Sequence, residues 1–247
     1  MPVDLKPEFK LSFSSVENSG KTTAVIVAAG NATRMGGIDK ITCPIAGVPV
    51  IVRSISAFEK SECIDNIVLV LRQDIVNEVQ NLVAQNGFKK VTDLVEGGDT
   101  RAESVKRGIT ACGTDADIVL IHDGARPLVS QEIIESVKEA VELYGAAAPA
   151  VPLKDTVKIV ASSGKIIETP DRSSLVAIQT PQGFLMSSYK TALDENTDSS
   201  ITDDCQLLER TGKTVYVVDG SYENIKITTP EDVEIAEGIL RKRGEKA

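Results

Sequence analysis

The chain has 247 residues, with 42% hydrophobic and 26% charged side chains and a formal net charge of -9. That length and balance suit a chain with a sizeable buried interior and exclude extensive disorder, while the acidic surplus argues against nucleic acid as the main partner. No run of about 18 apolar residues exists to cross a membrane. The amino end lacks the basic-then-apolar order of a secretory signal. Four scattered cysteines without a CxxC pair, beside the single histidine His122, offer little for a zinc site and read as reduced thiols of a cytoplasmic protein.

Residues 1–20 mix Ser, Lys, Glu and Pro without period and read as a loose extension; residues 21–247 read as one domain. The apolar β-branched run at 23–29 is the first strand and ends at a polar loop. Pro49 opens a helical pattern over 49–58, and 66–71 is a second buried strand. Helical spacing covers 73–85, stopped by Gly87. The rhythm repeats with a strand at 91–95, a helix at 101–111, a strand at 117–121 and a helix at 131–143. Such alternation predicts a doubly wound, mostly parallel α/β sheet, with ligands at the carboxyl ends of its strands. Residues 152–172 break the rhythm: 154–160 and 165–169 flank a Ser-Ser-Gly turn and read as a projecting β-hairpin arm, whose edges pairing with a second chain would cover. The core resumes with a strand at 175–179, a helix near 203–211, strands near 214–218 and 224–227, and a last helix after Pro230.

The segment 28–37, Ala-Ala-Gly-Asn-Ala-Thr-Arg-Met-Gly-Gly, follows the first strand directly, with Lys40 close behind. The small residues Ala28, Ala29 and Gly30 let backbone N–H groups approach phosphate oxygens, while Arg34 and Lys40 add cationic charge. The spacing matches neither the P-loop nor GxGxxG, since Ala32 takes the second glycine place. A plain strand-to-helix loop is the alternative reading of the segment taken alone, and the phosphate cradle is preferred to it. In the stretch Glu96-Gly97-Gly98-Asp99-Thr100-Arg101-Ala102-Glu103-Ser104, the glycines expose amides to a base or sugar and Ser104 offers a hydroxyl to a base edge. A turn with Asp99 or Thr100 as helix N-cap accounts for the same residues.

His122-Asp123-Gly124-Ala125-Arg126-Pro127 follows a buried strand. There Asp123 suits Mg²⁺ held against phosphate oxygens and Arg126 suits a phosphate or an acidic neighbour, while His122 reads as a structural imidazole. Farther on, Asp171-Arg172, Thr180-Pro181-Gln182, Ile201-Thr202-Asp203-Asp204 and Asn224-Ile225-Lys226-Ile227 bring polar groups beside apolar strands. Lys226, opposite its isoleucine neighbours in a strand, reads as either a solvated lysine or a phosphate ligand.

Taken in order, VIVAAG with RMG, GGDTRAESV, HDGARP, PLKDTVK, DR, TPQ, ITDD and ENIKITTPED resemble the 2-C-methyl-D-erythritol 4-phosphate cytidylyltransferases of the non-mevalonate isoprenoid pathway. The likeness runs from about residue 23 to the terminal helix. It implies a Rossmann-like nucleotidyltransferase fold that transfers the cytidylyl group of CTP to the polyol phosphate and releases pyrophosphate, with Mg²⁺ as cofactor and no covalent enzyme intermediate. It also implies that Arg34 and Lys40 stabilise charge at the α-phosphate. Arg172 and Lys226 would position the methylerythritol phosphate, with Thr156 and Thr202 assisting. Ala28, Ala29, Gly30, Gly98, Asp99 and Ser104 would hold the nucleotide, Asp123 and Arg126 would contact ribose, metal or substrate, and Thr180 would join the substrate-binding set. A homodimer built through the β-arm would place Arg172 and Thr156 in the partner's active site. The chain departs from the family pattern at Ala32, where glycine is usual, and at Lys40, which lies between Asp39 and Ile41 rather than proline and glutamine. Two alternatives are a ribitol-5-phosphate cytidylyltransferase, which shares the loop, HDxxRP and NIK, and a non-catalytic CTP-binding module.

Overall fold

The computed structural model describes residues 20–30, 39–196, 201 and 203–245. Arg34, Thr202 and the extension up to residue 19 lie outside them. In chain order the elements are β1 (Lys21–Ala28), β2 (Pro44–Ile45), β3 (Val48–Pro49), α1 (Val50–Lys60), β4 (Asn66–Leu71), α2 (Val76–Asn86), β5 (Val91–Glu96), α3 (Arg101–Ala111), β6 (Ala116–Asp123) and α4 (Gln131–Tyr144). They continue with β7 (Ala146–Pro152), β8 (Ile159–Val160), β9 (Ile166–Glu168), β10 (Val176–Ile178), β11 (Gln182–Leu185), α5 (Met186–Glu195), α6 (Asp204–Arg210), β12 (Tyr216–Asp219) and α7 (Pro230–Lys242).

The main sheet runs β10-β7-β11-β6-β1-β4-β5, with β12 added parallel to β7. β6, β1, β4 and β5 are mutually parallel, and β10 and β11 run antiparallel to their neighbours. Helices cover both faces because the central strands are apolar on both. Ala24, Ile26 and Ala28 of β1 face the core formed with α1, α2 and α4. Val25 faces the opposite core, formed with α3, α5 and α6. A smaller third core joins Ile45, Val50, Leu128 and Ile227 to Ala236 and Leu240 of α7.

The structure adds β2, β3, β7, β11 and α5, which the sequence pattern does not announce, and removes one element that it does. β7 is a buried alanine-rich strand with Pro149 inside it. Pro149 lies where the neighbouring strand is interrupted between β10 and β11, and its carbonyl accepts the Gln179 N–H at 2.7 Å. A proline is tolerated where the ladder is already broken. β11 and α5 follow the cis Thr180–Pro181 peptide. The expected strand at 224–227 is instead a loop, anchored by Ile227 N–H to the Ala125 carbonyl at 2.8 Å and by Asn224 Nδ2 to the Thr180 carbonyl at 2.9 Å. The arm's paired strands, β8 and β9, are also shorter than the two runs expected of them.

α3 packs closer to the sheet than an alanine at its contact point would permit. Gly108 lets it lie directly on the strands: a Cβ there would come within 2.5 Å of Val25 Cγ1 and 2.8 Å of Val70 Cγ2. Gly108→Ala should therefore push the helix outward and cost about 1–3 kcal/mol, as overpacking does. Urea unfolding measures that loss, and an unchanged midpoint would refute the close-approach argument.

Candidate active site

The carboxyl ends of β1, β4, β5 and β6 surround one cavity of about 370 Å³. Its wall brings together Ala28, Ala29, Gly30, Lys40, Gly98, Asp99, Ser104, Asp123 and Lys226, all expected at the site from sequence. Arg72, Gly97 and Arg101 also line it, and of these the sequence assigned no site role to either arginine.

Thr100 is the N-cap of α3, its Oγ1 accepting the Glu103 N–H at 3.1 Å, while Glu103 Oε2 accepts the Asp99 N–H at 2.8 Å. The cap reading of this stretch therefore holds, and residues of the same stretch line the cavity. The capped turn aims the amino end of α3 into the cavity, where a helix dipole favours anions. Ser104 is buried; its Oγ accepts the Gly98 N–H at 3.1 Å and donates to the Thr100 carbonyl at 2.9 Å. Gly97 is confined: a Cβ there would overlap that of Ala29 and come within 2.8 Å of Ser104 Oγ. Two backbones thus approach as closely as the cavity floor requires.

Asp123 ends β6 and is 8% exposed. Lys226 Nζ lies 2.9 Å from its Oδ2, Arg126 Nε lies 3.4 Å from the same atom, and Arg101 Nε lies 3.8 Å from Oδ1. Burial alone would push this carboxyl up, but Lys226, Arg101 and Arg126 outweigh it and hold the group well below the usual carboxylate range. Arg101 is itself fixed from behind, donating from Nη2 to Asp204 at 2.7 Å, and Asp204 accepts the Tyr189 hydroxyl at 2.6 Å. Burial works against the Arg101 charge, yet Asp204 and Asp123 raise its pKa further still.

Arg126 and Thr180 do not line the cavity. Arg126 reaches across to the Asn224 carbonyl at 2.7 Å, tying the loop that carries Lys226 to the loop that carries Asp123. Thr180 Oγ1 accepts the Asp123 N–H at 3.1 Å and lies 3.1 Å from His122 Nδ1. Because His122 Nε2 faces the Arg126 carbonyl at 3.1 Å, it carries the proton, and Nδ1 accepts from Thr180. Thr156 and Arg172 are exposed at the root of the arm, away from this chain's cavity, with Arg172 Nη1 donating to the Lys154 carbonyl at 2.5 Å.

A divalent cation would find one firmly ionised oxygen here, Asp123 Oδ1, which Arg101 approaches only at 3.8 Å. Among the described residues no group of three His, Cys, Asp or Glu side chains forms a cage. One carboxylate beside the oxygens of a triphosphate is the donor set that Mg²⁺ accepts, so the residues fit an ion brought in on a nucleotide.

Burial holds the His122 imidazole neutral, with its pKa pushed down to about 4 from 6.5. A depressed pKa contributes stability above the unfolded value that is lost as pH falls. We expect the metal-free protein to lose about 3 kcal/mol between pH 6.5 and 4. Asp123 adds its own loss only below the ordinary carboxyl value of 3.8. Thermal unfolding against pH checks this: His122→Gln should flatten the slope in that window, and an equal slope would contradict the assignment.

Comparison with known proteins bears on the same residues. A family model described as 2-C-methyl-D-erythritol 4-phosphate cytidylyltransferase matches residues 22–242. A protein of that name from Alkaliphilus oremlandii is 43% identical over 234 residues, 93% of this chain and 99% of its own length. One from Caldanaerobacter subterraneus subsp. tengcongensis is 46% identical over 226 residues, 89% of this chain and 99% of its own. Among solved structures, 4-diphosphocytidyl-2C-methyl-D-erythritol synthase from Anaerococcus prevotii superposes with a TM-score of 0.81 at 32% identity, covering 90% of this chain and 96% of that one.

Proposed function

The chain belongs to the 2-C-methyl-D-erythritol 4-phosphate cytidylyltransferase family, and we propose that it joins the cytidylyl group of CTP to 2-C-methyl-D-erythritol 4-phosphate. A phosphate oxygen of the polyol phosphate attacks the α-phosphorus of CTP; the new O–P bond forms as the bond to the β-phosphate oxygen breaks, and pyrophosphate leaves. The observation that carries this reading is the convergence of the β1 loop, the capped turn of α3 and the Asp123–Lys226 pair on one cavity.

In this reading Gly97, Gly98 and Ser104 receive the base, and Ala28, Ala29 and Gly30 present amides to the phosphates. Lys40 and Arg34 meet the charge that builds up at the α-phosphate, and Lys226 steers the polyol phosphate. Asp123 keeps Lys226 in place and offers Oδ1 to Mg²⁺, which when bound neutralises triphosphate charge. Thr202 is assigned to the substrate by sequence likeness. The arm supports a homodimer: Ile159, Val160, Ile166 and Ile167 are 45–63% exposed on a two-stranded hairpin, an apolar surface that a second copy would cover. Arg172 and Thr156 at its root would then complete the partner's site. The sequence class and the reduced cysteines support a cytoplasmic location.

Pyrophosphate release with CTP, Mg²⁺ and methylerythritol phosphate tests the reaction, and faster release with ribitol 5-phosphate would overturn the choice of acceptor. Arg34→Ala should lower kcat by about 10²-fold or more. Arg172→Ala and Lys226→Ala should each be nearly inactive alone. Unfolded and refolded together they should recover about a quarter of the active sites, because mixed dimers regain one intact site of two. No recovery on mixing would show that Arg172 does not serve the partner's site.

A further inference from the structure

We infer that Arg72 is a positioning residue for the transfer step, fixing Lys40 in the cavity by cross-linking Gly30 and Asp39 to the end of β4. The inference rests on the role proposed for Lys40 at the α-phosphate.

Arg72 immediately follows Leu71, the last residue of β4, and its side chain is 15% exposed. Nη1 donates to the Gly30 carbonyl at 3.2 Å, across 42 positions of sequence. Nη2 pairs with the Asp39 carboxylate, and Nε donates to Asp74 Oδ1 at 3.0 Å. One planar guanidinium therefore ties the point where the chain leaves β1 to the point where it returns to the cavity wall. Asp39 is held in turn: Oδ1 accepts the Ile41 N–H at 2.8 Å, and its carbonyl accepts the Cys43 N–H at 2.8 Å. Lys40 thus lies between two neighbours locked in backbone position. Its Nζ would be 3.7 Å from a Cβ built on Gly30, so the ammonium lies beside the residue whose carbonyl Arg72 holds. With two carboxylates already on it, the Arg72 charge is balanced locally, and its contribution is geometric. Lysine, a point charge on a flexible stem, cannot span three partners.

The experiment is a double-mutant cycle between position 72 and Lys40, reading pyrophosphate release and CTP affinity by calorimetry. Arg72→Ala should lower kcat by about 10-fold or more while leaving KM for methylerythritol phosphate unchanged, and Arg72→Lys should fail to restore it. In a Lys40→Ala background, Arg72→Ala should add less than about twofold, because its effect passes through the lysine. Wild-type kcat in Arg72→Ala or Arg72→Lys, or an undiminished further loss in the Lys40→Ala background, would overturn the inference. Should Arg72→Ala not fold, Asp39→Asn cuts the same link from a side chain 23% exposed and runs the same cycle. If the wild-type protein binds CTP but releases no pyrophosphate, the reaction reading fails by itself. The cycle is then read in CTP affinity: about 10-fold weakening with Lys40 present and under twofold without it supports the role, and equal weakening in both rejects it.

Discussion

An ionised carboxylate at the end of a buried parallel strand has to be compensated, and the compensation of Asp123 organises much of the cavity. Its three cations come from three separate parts of the chain: Arg101 from the first turn of α3, Arg126 three residues on, and Lys226 from the loop before α7. Removing any one leaves the carboxylate with less compensating charge, in a place where water reaches little of it. Such a buried cluster is costly when half satisfied. The arrangement reads as a means of fixing loop positions: the same contacts that balance the charge hold the 224–227 loop against the 122–127 loop.

Steric fit does the rest. The absence of side chains at Gly97 and Gly108 brings the β5–α3 turn against Ala29 and brings α3 onto β1 and β4. α3 carries both Ser104 and Arg101, so its depth on the sheet sets where a hydroxyl and a guanidinium enter the cavity.

β1, β4 and α3 are plain in the sequence because buried parallel strands are unbroken apolar runs and because α3 opens on a capping threonine. β7 is hidden because alanine is small and a poor strand former, and because Pro149 argues against a central strand; only its unbroken apolar run from residue 146 to 151 hints at burial. α5 left a usable trace in the spacing of Met186, Tyr189 and Ala192. The reading of 224–227 as a strand correctly sets Lys226 apart from Ile227, but the alternation comes from a loop pinned at Ala125, not from a sheet. Arg72 and Arg101 could not be singled out, since the partners that tie them to the site, Gly30 and Asp39 for one and Asp204 for the other, lie 42, 33 and 103 positions away. Local spacing reveals groups that face a ligand; it says little about groups that act through a distant partner.

The imidazole under the cavity has one more implication. His122 takes its proton only near pH 4, and Asp123 stays ionised to still lower values, so neither changes charge across the neutral range. A phosphate monoester, by contrast, loses its second proton near pH 6. Between these two groups and the acceptor, it is the acceptor that titrates in that interval. The acid limb of a rate profile would record the ionisation of the incoming nucleophile, with His122 and Asp123 supplying a steady electrostatic background.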